Sequence, residues 1–430
     1  MSGRQDRRGF LVTAAAGLAG GWPLRAQTAL PSGLPDALRM NGGAMIARGS
    51  DWHRRRRPEI LELFAREMYG RAPDRPKRMR FRQMEAATPA FAGAAVRKQI
   101  AIPLTGEADG PSMDLLVYLP RGAKGPFPAI LGMNFWGNHA VAADPGIRLA
   151  RTSMESGKNP YVDLSCVVDD RATASCRGIN ARQWPVERIL SRGYALATMY
   201  RGDIDPDRAD GFAESVRGRY PELQDGGANF SAIGAWAWAF SRALDYLETD
   251  RDIDARRVAV FGWSRLGKAA LWAGASDERF AMTLSNESGA GGAKLFRRGI
   301  GENIRRLNTV FPHWYCRNFR KYNDLDTSLP FDQHMVIASI APRPVYIASA
   351  VQDAGSDPEG EFLGAKAADP VYRLLGTDGL PAERWPPVGQ PVLGQIGYHV
   401  RAGGHDVTDF DWTQYLAFAD RHLRSAHTVK

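Results

Sequence analysis

Ser264 lies in Val258-Ala-Val-Phe-Gly-Trp-Ser-Arg-Leu-Gly-Lys268. A β-branched apolar run ends in Gly262, the serine follows two residues later, and the helix-forming run Ala269–Ala273 comes next. A sharp strand-to-helix turn of this kind lifts a hydroxyl out of a sheet and offers it to an acyl carbon. The spacing departs from the common G-x-S-x-G, because Leu266 holds the place of the second glycine and Gly267 follows it. The same residues also describe an ordinary connection in which Ser264 is a helix N-cap.

A serine hydroxyl needs a base to take its proton, and a histidine has the near-neutral pKa for it. Of eight histidines, only His399 and His405 fall in the last sheet-forming segment. His399 sits inside Ile396-Gly-Tyr-His-Val400 and reads as a strand residue. His405 follows Ala402-Gly-Gly404, in a loop able to fold back over the sheet, and is the expected base. A third group must orient that histidine. Glu287 ends the run Phe280–Asn286 and Asp353 follows Pro344–Ala350; either gives the order Ser, acid, His, and the spacing leaves both open. No Cys/His cluster has zinc spacing, so neither a metal nor a cofactor is expected.

The elements that must position these groups are legible as hydrophobic patterns. Ala94–Pro103 and Ser112–Pro120 alternate like early antiparallel strands. The runs 127–133, 194–200, 258–261, 280–285, 344–350 and 396–400 are short and nearly all apolar, as buried parallel strands are. Helical patterns cover 58–69, 229–248, 268–275 and 410–423. Alternation of this kind predicts a doubly wound, mostly parallel α/β sheet with helices on both faces, in which sites form at the carboxyl ends of strands. The stretches 139–185 and 201–228 are long, polar and punctuated by Gly and Pro, and read as insertions around a site.

Composition is that of a globular protein, with 430 residues and a net charge of +9. Arg54–Arg57 reads as a solvated helix entrance; no nucleic-acid motif accompanies it, and nucleic acid is not an expected partner. Arg7-Arg8 before the small apolar run Thr13–Gly21 resembles a Tat export signal, with cleavage expected near Ala26 and a periplasmic or secreted product. That run is too short for a membrane span. Residues 27–57 read as an extended arm and 58–430 as one catalytic domain. Of Cys166, Cys176 and Cys316, the first two are the simplest disulfide pair in an oxidising compartment.

Gly262-Trp-Ser-Arg-Leu-Gly-Lys268, Ser285-Asn-Glu-Ser-Gly-Ala-Gly-Gly292 and His405 resemble signatures of the glucuronoyl esterases, carbohydrate esterase family 15. The likeness also takes in Phe311-Pro-His-Trp-Tyr315, Leu329–His334, Ile340-Ala-Pro-Arg-Pro344, Asp357–Phe362 and Gly397-Tyr-His399, in order, and is closer to the bacterial branch. The displaced second glycine belongs to that family's pattern.

The resemblance implies an α/β-hydrolase fold, Ser264 as nucleophile, His405 as base, and Glu287 (as in fungal members) or Asp353 (as in some bacterial ones) as acid. It implies Arg265 in the oxyanion hole, and Lys268 and Glu302 on sugar hydroxyls. Many relatives carry a tryptophan shortly after the later acid; here Asp353-Ala-Gly-Ser-Asp357 has none, and Trp314 is the candidate replacement. Fungal relatives have a disulfide-bonded cysteine before the nucleophile, where this chain has Trp263. The implied reaction is hydrolysis of 4-O-methyl-glucuronic acid esters on glucuronoxylan, including lignin–carbohydrate esters; the chain itself is expected to be a monomer without stable membrane association. An acetyl xylan esterase on the same fold and a non-catalytic carbohydrate-binding homologue are the alternatives.

Overall fold

The computed structural model describes residues 29–107 and 110–424. The proposed leader lies outside the described residues. Eight main strands build the sheet: β1 (Ala95–Pro103), β2 (Ser112–Pro120), β3 (Phe127–Asn134), β4 (Ala195–Tyr200), β5 (Ile253–Trp263), β6 (Met282–Asn286), β7 (Val345–Ala350) and β8 (Ile396–Arg401). Their order is β1-β2-β4-β3-β5-β6-β7-β8, with shorter strands at the edges. Pairing is parallel from β4 through β8 and antiparallel for β1–β2 and β2–β4. Every residue of β3, β4, β6, β7 and β8 is buried, which is why these strands are nearly continuous apolar runs.

Six helices carry most of the cover: α1 (Arg57–Phe64), α2 (Val186–Ser191), α3 (Ala232–Leu247), α4 (Arg265–Ser276), α5 (Pro358–Leu374) and α6 (Asp409–Ala419). One face of the sheet packs against α1, α3, α4 and α5 through Trp52, Phe64, Trp236 and Trp272. The other packs against α2 and α6 through Trp184, Trp412 and Tyr415. Ser231 caps α3 by accepting the Gly234 N–H at 3.1 Å, and Thr408 with Asp411 forms a capping box on α6. No helix among the described residues is long and apolar enough to cross a membrane.

Two expectations change. The extended arm gives way to helix at Gly49, and π turns at Trp52–Arg56 and Ala65–Tyr69 flank α1. Arg54–Arg57 is therefore not wholly a solvated entrance, since Arg56 and Arg57 are buried. Arg57 bridges two other segments, donating to the carbonyls of Ser339 (2.9 Å) and Ala275 (2.7 Å). Arg56 donates to the Ala37 carbonyl and pairs with Glu59. Buried guanidinium groups persist where every donor can find an acceptor. The arm is pinned again where His334 Nε2 meets the Pro35 carbonyl at 2.8 Å.

Candidate active site

Ser264 stands at the N-cap position of α4 directly after β5 without a side-chain capping bond, at φ 58° and ψ −129°, a conformation L-residues rarely adopt outside strained functional turns. The local glycines explain how the chain gets there. A Cβ on Gly262 would stand 2.0 Å from the Leu266 carbonyl oxygen, so the strand end and the first turn of α4 meet only if residue 262 has no side chain. Gly267, the displaced glycine, lies where α4 passes the end of β6; a Cβ there would meet Gly262, Asn286 and Ser288 at 3.1–3.2 Å. The Ser264 N–H donates to the Asn286 carbonyl at 2.9 Å, tying the elbow to the strand that delivers Glu287.

Glu287 follows β6 with φ 44°, a second non-glycine residue in the left-handed region. Asp353 lies three residues beyond β7, and His405 in the loop after β8. The sheet brings all three together: His405 Nδ1 lies 2.6 Å from Asp353 Oδ2 and 3.1 Å from Glu287 Oε2. The His405 ring also packs 5.1 Å from Trp263, the residue before Ser264, so the histidine lies against the strand end that carries the serine. The acids are not equivalent. Asp353 is otherwise held by the Ser356 N–H at 3.3 Å. Glu287 is held by Arg401 at 2.5 Å and by the Asp406 N–H at 2.8 Å.

Burial alone would lower the His405 pKa, but the hydrogen bonds to Asp353 and Glu287 outweigh it and carry it up to about 10. Burial lifts Glu287 to about 7 against the pull of His405 and Arg401. Asp353 is also penalised by burial, yet its bond to His405 keeps it below the usual carboxylate value. Three ligand atoms of Glu287, Asp353 and His405 lie within 4.8 Å, a spacing that could also chelate a cation. The bonds they already make to each other and to Arg401 fit a histidine with two acids better.

Arg265, the first residue of α4, is fixed by Asp207, whose Oδ2 lies 2.5 Å from its Nη1. The Arg265 guanidinium stands 4.8 Å over the Trp314 ring and 5.4 Å over Phe311. Asp207 is fully enclosed and also accepts the Trp314 indole N–H (2.7 Å) and faces His313 Nε2 (3.0 Å) and Arg201 (3.2 Å). Burial opposes its charge, but Arg265 and Arg201 hold it far below the usual carboxylate range. Lys268 is buried, donates to the Ser288 carbonyl at 2.6 Å and stands 5.6 Å over Trp314. Burial lowers it to about 8, with Glu302 the principal opposing charge. Glu302 is partly exposed and 3.9 Å from Arg306. Trp314 is 3 % exposed, stacked on Phe311 at 3.7 Å, and is a platform under the two cations rather than an open sugar-stacking face.

His399 is a buried strand residue, bonded to Asp411 and Tyr346. Three residues that carry the site were not singled out in the sequence. Asp207 lies in the 201–228 insertion. Tyr161, from the 139–185 insertion, packs 5.9 Å from the His405 ring. Arg401 uses all five N–H groups: Nε on Asp411, Nη1 on the carbonyls of Ala402 and Gly404, Nη2 on Glu287 and the Asp406 carbonyl. It thus grips the His405 loop on both sides. Long polar insertions were the only sequence signal for the first two, and Arg401 had none. The Cys166–Cys176 disulfide is present in the 139–185 insertion, and Cys316 is free and buried.

Comparison with known proteins agrees with this geometry. A family model described as glucuronyl esterase of fungi matches residues 178–376. The chain is 46 % identical over 393 residues to carbohydrate esterase MZ0003 from an unknown prokaryotic organism, covering 91 % of this chain and 89 % of that one. It is 44 % identical to the solved glucuronoyl esterase of Solibacter usitatus, with a TM-score of 0.85 over 91 % and 99 % of the two chains. A 4-O-methyl-glucuronoyl methylesterase of Podospora anserina is 26 % identical over 90 % of this chain and 66 % of its own length.

Proposed function

The chain belongs to the glucuronoyl esterases of carbohydrate esterase family 15, and from that premise we propose that it hydrolyses 4-O-methyl-glucuronic acid esters on glucuronoxylan, those to lignin alcohols included. The observation that carries the mechanism is one histidine nitrogen shared by two carboxylates, packed against the turn that presents Ser264.

In this reading the Ser264 Oγ attacks the C6 carbonyl of the uronate while His405 Nε2 takes its proton. The carbonyl oxygen becomes an oxyanion beside the Arg265 guanidinium and backbone N–H, with Asp207 and Trp314 keeping that guanidinium in place before the reaction begins. As the tetrahedral intermediate collapses, the ester C–O bond breaks and the alcohol leaves with the proton from His405. Water, deprotonated by His405, then hydrolyses the glucuronoyl-serine ester and releases the free acid. Asp353, at 2.6 Å from Nδ1, fixes the tautomer; Glu287, bound by Arg401 and the Asp406 N–H, steadies the loop and adds negative potential. Lys268 and Glu302 offer a donor and an acceptor to the sugar hydroxyls.

We further infer export, supported by the twin-arginine leader and by a disulfide that an oxidising compartment preserves. The deciding assay is hydrolysis of benzyl glucuronate beside acetylated xylan. Turnover of the first and not the second is expected, and lost in Ser264→Ala; the reverse preference would make the protein a deacetylase.

A further inference from the structure

A cavity of about 320 Å³ opens between the 201–228 insertion and the segment 312–320, lined in part by Phe212, Arg217, Asn229, His313, Arg317 and Arg320. A single carboxylate separates it from the catalytic arginine, because Asp207 faces His313 with one oxygen and Arg265 with the other. Its size falls within the range of small-molecule sites, roughly 300–1,000 Å³.

The lining is one-sided in charge. It contains three arginines and a histidine and no acid. Arg217 is neutralised by Asp205 at 2.7 Å. Arg317 and Arg320 are exposed and have no carboxylate within ion-pair distance among the described residues. They spend single nitrogens on the carbonyls of Gln224, Gly226 and Pro312, which leaves other N–H groups of each guanidinium uncommitted.

Three buried side chains of the lining carry polar atoms with no partner among the described residues, the Tyr315 hydroxyl being one. Arg217 is 5 % exposed and its Nη2 has no partner; His313 is 9 % exposed and its Nδ1, on the ring edge not facing Asp207, has none either. Buried polar groups are nearly always satisfied in folded proteins, so the Arg217 Nη2 donor points to a missing acceptor, while His313 Nδ1, an acceptor as long as the Nε2–H donates to Asp207, points to a missing hydroxyl donor. Phe212 adds the last feature. It is 40 % exposed at the cavity, with the Arg217 guanidinium 5.5 Å from its ring. An inorganic anion would use the donors alone; an acidic sugar uses the donors for its carboxylate and an aromatic ring for its C–H face.

We propose that this cavity is a second saccharide site, one that takes the free carboxylate of an unesterified uronic acid: the hydrolysis product, or a neighbouring side group of the same polymer. The proposal rests on the uronate specificity given above. The occupied catalytic pocket and this cavity would then hold two acidic sugars of one chain, the ester form in the first and the acid form in the second.

The test is calorimetric titration of the whole protein with sodium glucuronate, with glucose and sodium phosphate as comparison probes, against the double variant Arg317→Gln/Arg320→Gln. Two binding events for glucuronate in the unaltered protein, one in the variant, and unchanged hydrolysis of benzyl glucuronate by the variant are expected. Equal stoichiometry in the two proteins overturns the proposal, as does displacement of the second glucuronate by an equal concentration of phosphate. If the variant loses ester hydrolysis as well, crystals of the unaltered protein grown in glucuronate decide: sugar against Arg317 and Arg320 upholds the site, and water alone there ends it. Failure of the unaltered protein to hydrolyse benzyl glucuronate would instead strike the function, a separate result.

Discussion

His405 places two carboxylates on one nitrogen, and that sets how the site answers to pH. The proposed mechanism needs the neutral imidazole. Each negative carboxylate favours the imidazolium, so the pair moves the rising limb of kcat/KM toward alkaline pH, in line with the upward shift of His405 to about 10. Glu287→Gln removes one of those charges, and its limb should rise at lower pH than that of the unaltered enzyme. Asp353→Asn removes the 2.6 Å partner, and kcat should fall about a hundredfold or more, as when a triad acid is lost. If Glu287→Gln brings the larger loss, the roles of the two acids are exchanged. Arg401→Lys is predicted to lower kcat by about 10- to 100-fold with little change in KM, because three ammonium donors cannot replace five fixed ones and a small displacement of the base is costly. A pre-steady-state assay that found a slower binding step instead would contradict that role.

At the scale of the element, the elbow depends on two backbones passing without side chains between them. Gly262→Ala would place a methyl group 2.0 Å from the Leu266 carbonyl, and it should lower the melting temperature by several degrees and abolish turnover together. An alanine variant that melted and turned over normally would show that the turn relaxes. Elements with one plain pattern were legible: Ser112–Pro120 is the strand its alternation predicts, and α3 sits within the 229–248 helical pattern. Those with mixed patterns were not. α5 is absent from the helical patterns read above, because Gly360, Gly364 and Pro370 interrupt its sequence. In the fold Gly364 is a contact point, where a Cβ would stand 2.0 Å from the Ala293 carbonyl. β5 begins five residues before its apolar run, since Asp254, Arg256 and Arg257 disguise its start.

For the whole molecule, a +9 charge meeting an acidic polymer implies screening. KM for a glucuronoxylan oligosaccharide ester should rise several-fold between roughly 20 and 300 mM salt, while KM for uncharged benzyl glucuronate stays level; parallel behaviour of the two would remove any role for long-range attraction. The same scale explains what the sequence could not display. Ser264, Glu287, Asp353 and His405 each close a recognisable strand run, so their convergence follows from a parallel sheet. Asp207 and Arg265 are 58 positions apart, and Glu287 and Arg401 are 114 apart. Nothing local marks such pairs until the chain has folded. The helix before Pro58 has a practical corollary for protein engineering. A shortened recombinant form starting at Pro58 would delete the two arginines that rivet the amino-terminal segment to the carbonyls of Ala37, Ala275 and Ser339, and would vacate the seat of Trp52 in the core. Fusion junctions and protease-trimmed versions should therefore be cut upstream of Leu34, not at the start of the catalytic pattern.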